Sequence, residues 1–219
     1  MKRSKRKDLD TNRRILILCE GEKTEINYFR GFKNDVKLKR KLASLDIEIY
    51  QPKDHSPIGL VQEAYRRLKI AQKERNPYDD GCVWIVFDRD GHAYVKETFM
   101  IAESSGVRIA FSSVCFEYWI LLHYERTQHE FKSCGKGEHN LIEYLKKYLP
   151  HYEKGRDLFT KEFKSRLPTA IRNAHWVVQN KQEELQTKEI YDLWAYTNVF
   201  ELVEILLLEA ENAVQEEEY

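Results

Sequence analysis

Two apolar runs, each ending in acid, constrain this chain more than any other feature. Ile15-Leu16-Ile17-Leu18-Cys19 leads into Glu20-Gly21-Glu22-Lys23-Thr24-Glu25, and Cys82-Val83-Trp84-Ile85-Val86-Phe87 leads into Asp88-Arg89-Asp90-Gly91-His92. Neither run alternates with polar residues, the mark of strands covered on both faces and paired in parallel. Sheets of that kind bind ligands beyond the carboxyl ends of their strands. Pairing the two runs in one parallel sheet would bring Glu20, Asp88 and Asp90 to a single edge. Carboxylates crowded together repel unless a cation neutralises them, and hard oxygen donors suit Mg²⁺ or Mn²⁺. Either half alone is ordinary, since acidic residues often begin loops after strands; the two together carry the inference.

The intervening segments supply the rest of an α/β unit. Thr24 to about Leu45 reads as helix, with Ile26, Phe29 and Phe32 on one side, and Leu45 to Tyr50 as a half-exposed edge strand. Pro52 and Pro57 bracket a turn; His55 within it has the reach of an active-site group but is read as uninvolved. Ile58 to Arg75 is an amphipathic helix suited to a right-handed crossover into the Asp88 strand. A helix at Val95 to Ser105 and a strand at Val107 to Phe111 continue the alternation, predicting a three-layer, mostly parallel α/β sheet. Glu117 then opens a very apolar helix. A carboxylate in a first turn is favoured by the helix dipole even without a chemical task. His123 is expected to be packed in the core.

Residues 126–140 are irregular. His129, Cys134 and His139 can be drawn as a metal set, but a fourth ligand and finger spacing are lacking; a loop with Gly135, Gly137 and Lys136 fits substrate contact better. From Leu141 the chain reads as helical, over 141–149, 157–167, 169–185 (Thr169 as N-cap) and 198–214. Lys154, Arg156, Lys161, Lys164, Arg166 and Arg172 are interleaved there with Tyr148, Tyr152, Phe159 and Phe163. That mixture binds nucleic acid by phosphate attraction and base stacking, or is an ordinary helix surface over aromatic core residues. The last helix is apolar over more than one stripe, so it is buried or meets a partner.

The 219 residues suffice for one substantial core with an appended helical lobe. The division expected is a flexible basic arm at 1–12, an α/β core at 13–125, and a helical C-terminal lobe at 126–219 packed on it. Lys+Arg and Asp+Glu are equal at 36 each, so no overall basic field attracts nucleic acid. No apolar segment approaches the roughly 20 residues of a membrane span, and no apolar stretch follows the basic N-terminus as in a secretory signal. Cys19, Cys82 and Cys115 read as small core residues and no CxxC pair occurs, which places the protein in the reducing cytoplasm.

A strand ending in Glu-Gly with a later strand ending in Asp-x-Asp resembles the Toprim catalytic domain of topoisomerases, bacterial primases and overcoming-lysogenisation-defect (OLD) nucleases. More closely, CEGEKTEINYF at 19–29, VFDRDGH at 86–92 and FEYWILLHYE at 116–125 resemble the RloB family, associated with restriction and phage-defence loci. The resemblance implies a Toprim-like core and a divalent-metal-dependent nuclease acting on DNA or RNA, tRNA included, in antiphage defence. Glu20, Asp88 and Asp90 would be catalytic and metal-binding, with Glu25 or Glu22 as a further ligand. Glu117 would support a second ion, and Lys23 would offset phosphate charge. Lys136, Lys154, Arg156 and Arg172 are the candidate nucleic-acid contacts. The partners expected are nucleic acid, an AAA- or ABC-type ATPase subunit and further copies of the chain, with no membrane. No G-x-x-x-x-G-K-[S/T] run occurs, so ATP dependence would come from another subunit. The rival expectations are a Toprim-fold regulatory or binding subunit working with an ATPase, and a primase-like polymerase.

Overall fold

A computed structural model describes residues 13–35, 38, 45–73, 82–89 and 91–216. Five strands form one sheet in the order β2-β1-β3-β4-β5: β1 Arg13–Cys19, β2 Leu45–Tyr50, β3 Val83–Asp88, β4 Arg108–Ser113 and β5 Tyr196–Thr197. The first four pair in parallel, with Cys19 opposite Val86 and Asp88 opposite Ser112. Only β5 runs antiparallel, along β4. The α-helices delimited among the described residues are α1 Thr24–Asn34, α2 Pro57–Lys73, α3 Val95–Ser105, α4 Glu117–Leu121, α5 Leu141–Leu145, α6 Leu167–Asn180, α7 Gln182–Leu185 and α8 Val199–Glu216.

The unbroken apolar runs have the expected cause. In β1, Ile15, Ile17 and Cys19 face one apolar cluster with Phe29 and Phe32 of α1 and Trp119 of α4. Leu16 and Leu18 face the other, with Leu60, Val61 and Ala64 of α2. Each residue of β1 from Ile15 to Cys19 is thus buried, whichever way it points. Burying a large apolar side chain contributes about 1.5–3 kcal/mol, so a polar residue in either alternating set would be costly. The edge position expected for β2 is confirmed: Asp46 and Glu48 are exposed while Ile47 is buried.

The C-terminal segment shares the same core. Leu141, Leu145, Phe159, Phe163, Ala170 and Leu202 belong to the cluster on the α1 face. Asn198 ties α8 to the sheet, its Oδ1 accepting from Phe111 N at 2.7 Å and its Nδ2 donating to Ile109 O at 2.9 Å. The apolar breadth of the last helix is largely explained by burial of Val199, Phe200, Leu202, Val203 and Leu206, while Leu208 remains exposed. His123 is buried as expected, between Tyr28, Trp119 and Phe163, and burial pushes its pKa down to about 4.

Several expectations need correction. Helix α1 ends at Asn34, where Asp35 leaves the helical conformation; most of the stretch from there to Leu45, expected to continue the helix, lies outside the described residues. The segment expected to be helical over 157–167 is helical from Phe159, wound as a π-helix at Phe159–Phe163 and a 3-10 helix at Lys164–Arg166. Thr169 is not an N-cap, because α6 begins at Leu167 with Pro168 in its first turn, where the missing N–H is harmless. Helix α5 stops at Leu145 and is capped by Asn140, which accepts from Glu143 N at 2.9 Å. Cys115 is buried but is not merely a core residue: it forms a disulfide with Cys134. That bond removes Cys134 from the set drawn with His129 and His139, and removes the cysteine argument for a reducing compartment. No helix of the described residues is long and apolar enough to cross a membrane. The basic arm at 1–12 lies outside the described residues.

Candidate active site

Parallel pairing brings the ends of β1, β3 and β4 to one edge, and the residues just past those ends line a cleft of about 430 Å³. Glu20, Gly21, Glu22, Lys23, Thr24 and Glu25 come from the turn into α1; His55 follows β2; Asp88 ends β3; Glu117 follows β4; Lys154 comes from the C-terminal segment. Asp90 lies outside the described residues.

Glu20 is fixed from several sides. Its N–H continues the ladder to Val86 O at 2.9 Å, and its backbone carbonyl accepts from Gln51 Nε2 at 3.0 Å. The carboxylate accepts from Asp88 N at 3.0 Å through Oε2 and meets His92 Nε2 through Oε1. The two acidic strand ends foreseen at one edge are therefore in direct contact.

Gly21 permits the next acid to approach. A Cβ there would fall 1.8 Å from Glu25 Oε2, so the turn must be glycine for Glu25 to fold back beneath it. Glu25 is 5% exposed. Burial foremost pushes its carboxyl up to about 7, and Glu117 and Glu20 push the same way against its own backbone hydrogen bond and Lys154. Between the two acids that the sequence left as alternatives, Glu25 is buried in the cleft and Glu22 is exposed at its rim.

Asp88 feels the same crowding. Burial, then the charges of Glu25, Glu117 and Glu20, hold its carboxyl well above the usual carboxylate range. Its Oδ1 is buried without a hydrogen-bond partner among the described residues. A buried orphan acceptor of this kind costs about 1–3 kcal/mol.

Glu117 is 1% exposed and held by the C-terminal segment. Tyr152 Oη donates to its Oε1 at 3.0 Å and Thr24 Oγ1 at 3.5 Å. Lys154 Nζ stands 3.6 Å from Oε2. Burial and the Glu117 charge raise the Tyr152 pKa, keeping it a donor. The Tyr152–Gly155 turn is docked on α1: Asn27 Nδ2 donates to Gly155 O, and a Cβ at Gly155, whose φ is +82°, would lie 2.6 Å from Lys23 Cβ. Lys164 pairs with buried Asp35 at the end of α1, which anchors the neighbouring turn.

Of the basic residues singled out in sequence, Lys154 and Lys23 line the cleft. Lys136, Arg156 and Arg172 are exposed and do not; Arg156 donates to His151 O and Arg172 to Thr169 Oγ1. Sequence reasoning missed Tyr152 and His92 as site residues and set His55 aside. Only proximity in the fold distinguishes Tyr152 from its aromatic neighbours. His92 carried a usable signal, being two residues past Asp90.

Buried, mutually repelling carboxylates and an Asp88 oxygen without a hydrogen-bond partner among the described residues are donors of the kind a hard divalent cation takes, but no three of Glu20, Glu25, Asp88 and Glu117 bring oxygens within 4.8 Å of one another. The fold and cleft define an α/β protein with an acidic site at the carboxyl edge of a mostly parallel sheet. The chain belongs to the RloB-like protein family, whose model matches residues 15–206. No curated protein and no solved structure matches.

Proposed function

We propose that this protein is a divalent-metal-dependent, Toprim-type nuclease that hydrolyses phosphodiester bonds in nucleic acid during bacterial antiphage defence. The observation that supports this best is the convergence of Glu20, Glu25, Asp88 and Glu117 on one cleft, with Asp88 Oδ1 buried and without a hydrogen-bond partner among the described residues. Mg²⁺ or Mn²⁺ would be held by Asp88, Glu20 and Glu25, with Asp90 as the sequence suggests. The chemistry such an ion would supply there is Lewis-acid stabilisation of phosphoryl charge.

The chain's own residues have separate tasks. Lys154 and Lys23, on the cleft rim, balance the charge of a phosphodiester that grows in the transition state. Tyr152 and Thr24 fix Glu117, so that its carboxylate is preorganised rather than recruited. Gln51 and the Asp88 N–H hold Glu20 in one orientation. Glu25, folded back beneath Gly21 and buried, completes the set of oxygens that would surround the ion. An AAA- or ABC-type ATPase subunit is the partner we propose for any nucleotide-dependent control.

Purified protein incubated with DNA, total RNA and tRNA, in Mg²⁺, Mn²⁺ or chelator, tests the proposal and identifies the substrate. Cleavage should need the metal and should fall by on the order of 100-fold or more in Asp88→Ala, as expected when preorganised charge stabilisation is lost. Asp88→Ala protein cleaving at the wild-type rate would refute it. Absence of cleavage with either metal would favour a regulatory or binding subunit.

A further inference from the structure

Beside the oxygen-lined cleft lies a second donor set of different chemistry. The sulfurs of Cys115 and Cys134 and one carboxylate oxygen of Glu117 all fall within 4.8 Å of one another. Cys134 Sγ is 3.2 Å from Glu117 Oε2, and the two cysteines are joined with Cα atoms 5.9 Å apart. We propose that, once this disulfide is reduced, Cys115, Cys134 and Glu117 form a zinc site that withdraws Glu117 from the acidic cleft. This goes beyond the nuclease proposal and does not need it, since zinc binding is measured without any cleavage.

Placement of the sulfurs does not rest on the bond between them. Cys115 is 2% exposed, locked between the end of β4 and Phe116 in the core. The backbone carbonyl of Cys134 accepts from Ile142 N at 2.9 Å, and the preceding Ser133 carbonyl from Leu141 N at 3.1 Å. Those bonds pin the loop to the first turn of α5. With the disulfide broken, both thiols therefore stay beside the carboxylate.

Thiolates select Zn²⁺ over Mg²⁺, whereas the neighbouring all-oxygen cleft has the opposite preference. Two sulfurs and one oxygen supply the three protein ligands of a tetrahedral site with an open fourth position. Glu117 belongs to both sets. Its Oε1 remains with Tyr152, while Oε2, now facing Lys154 and Cys134, would turn to zinc. The oxidised chain keeps the carboxylate for the cleft; the reduced, zinc-loaded chain does not.

The chemistry balances with a dithiol reductant. The S–S bond breaks and takes up two electrons and two protons, the dithiol becomes its own disulfide, and Zn²⁺ then displaces the two thiol protons to solvent. The test uses the full chain, reduced with dithiothreitol, desalted anaerobically and titrated with Zn²⁺, or with Co²⁺ as a spectroscopic probe. One equivalent should bind with a thiolate-to-cobalt charge-transfer band, absent from the oxidised protein. Cys134→Ser should lose about half of that band and bind at least about tenfold more weakly, because a ligand is gone. Zinc should also protect Cys134 of the reduced wild type from alkylation, leaving the half-buried Cys82 as an internal control. Failure of the reduced wild type to take up metal, or an unchanged band in Cys134→Ser, would overturn the proposal.

Discussion

Replacing Glu25 by glutamine should make the protein more stable at alkaline pH, although a buried, hydrogen-bonded acid is being removed. In the folded chain its carboxyl titrates at about 7, against an ordinary 4.5, because burial and the charges of Glu117 and Glu20 oppose ionisation. Below pH 4.5 both folded and unfolded states hold the proton. Between 4.5 and 7 the folded state holds a proton that the unfolded state has released, so stability falls as pH rises, and above 7 the loss is complete. At about 1.4 kcal/mol per tenfold change in proton affinity, the full loss is on the order of 3 kcal/mol. Asp88, raised for the same reasons, adds to the slope. A glutamine side chain has the same shape and no charge, so Glu25→Gln should unfold about 6–12 °C higher at pH 8, taking roughly 2–4 °C per kcal/mol for a chain of this size. Near pH 4.5 the two proteins should melt together. Thermal unfolding of both across pH 4.5–8.5, in chelator, is the assay. Mg²⁺ at pH 8 should then raise the wild-type melting temperature more than that of the variant. A variant that melts at or below the wild type at pH 8, with the same slope between 4.5 and 7, would refute the electrostatic account of the cleft.

Gly21→Ala should leave the backbone intact, because the Cβ meets only the end of a flexible side chain. By driving Glu25 out of place it should weaken Mg²⁺-dependent stabilisation by about tenfold, or ~1.4 kcal/mol, as titrated calorimetrically. Lys154→Ala should lower cleavage by on the order of tenfold and flatten its salt dependence, since one phosphate-facing cation is lost; an unchanged salt slope would remove Lys154 from the substrate path.

The order of apolar runs and amphipathic helices made the α/β sheet legible from residues alone. A run such as Ile15–Cys19 has no polar face to show solvent, so it demands cover on both sides, and parallel strands with helical crossovers are the simplest way to provide it. Once β1 and β3 are neighbours, contact between Glu20 and Asp88 follows from register, a local consequence of where each run stops. Glu117 was legible as an acid at the same edge, but only a resemblance gave it more weight than a helix-dipole contact. The helical reading of 157–167 carried no sign of its winding: the aromatic core around Tyr28 and Phe32 holds Phe159 and Phe163, and the helix there is wound as π and 3-10 turns.

The sequence by itself therefore determined the layered sheet and the acids at its edge, because apolar periodicity and chain order suffice for those. Only the tertiary structure decided that Glu25 rather than Glu22 is buried in the cleft, that Tyr152 and Lys154 close on Glu117, and that Cys115 meets Cys134. Each of these joins residues through the docking of a turn or loop on a distant element, and short-range sequence patterns carry no record of which surfaces will meet.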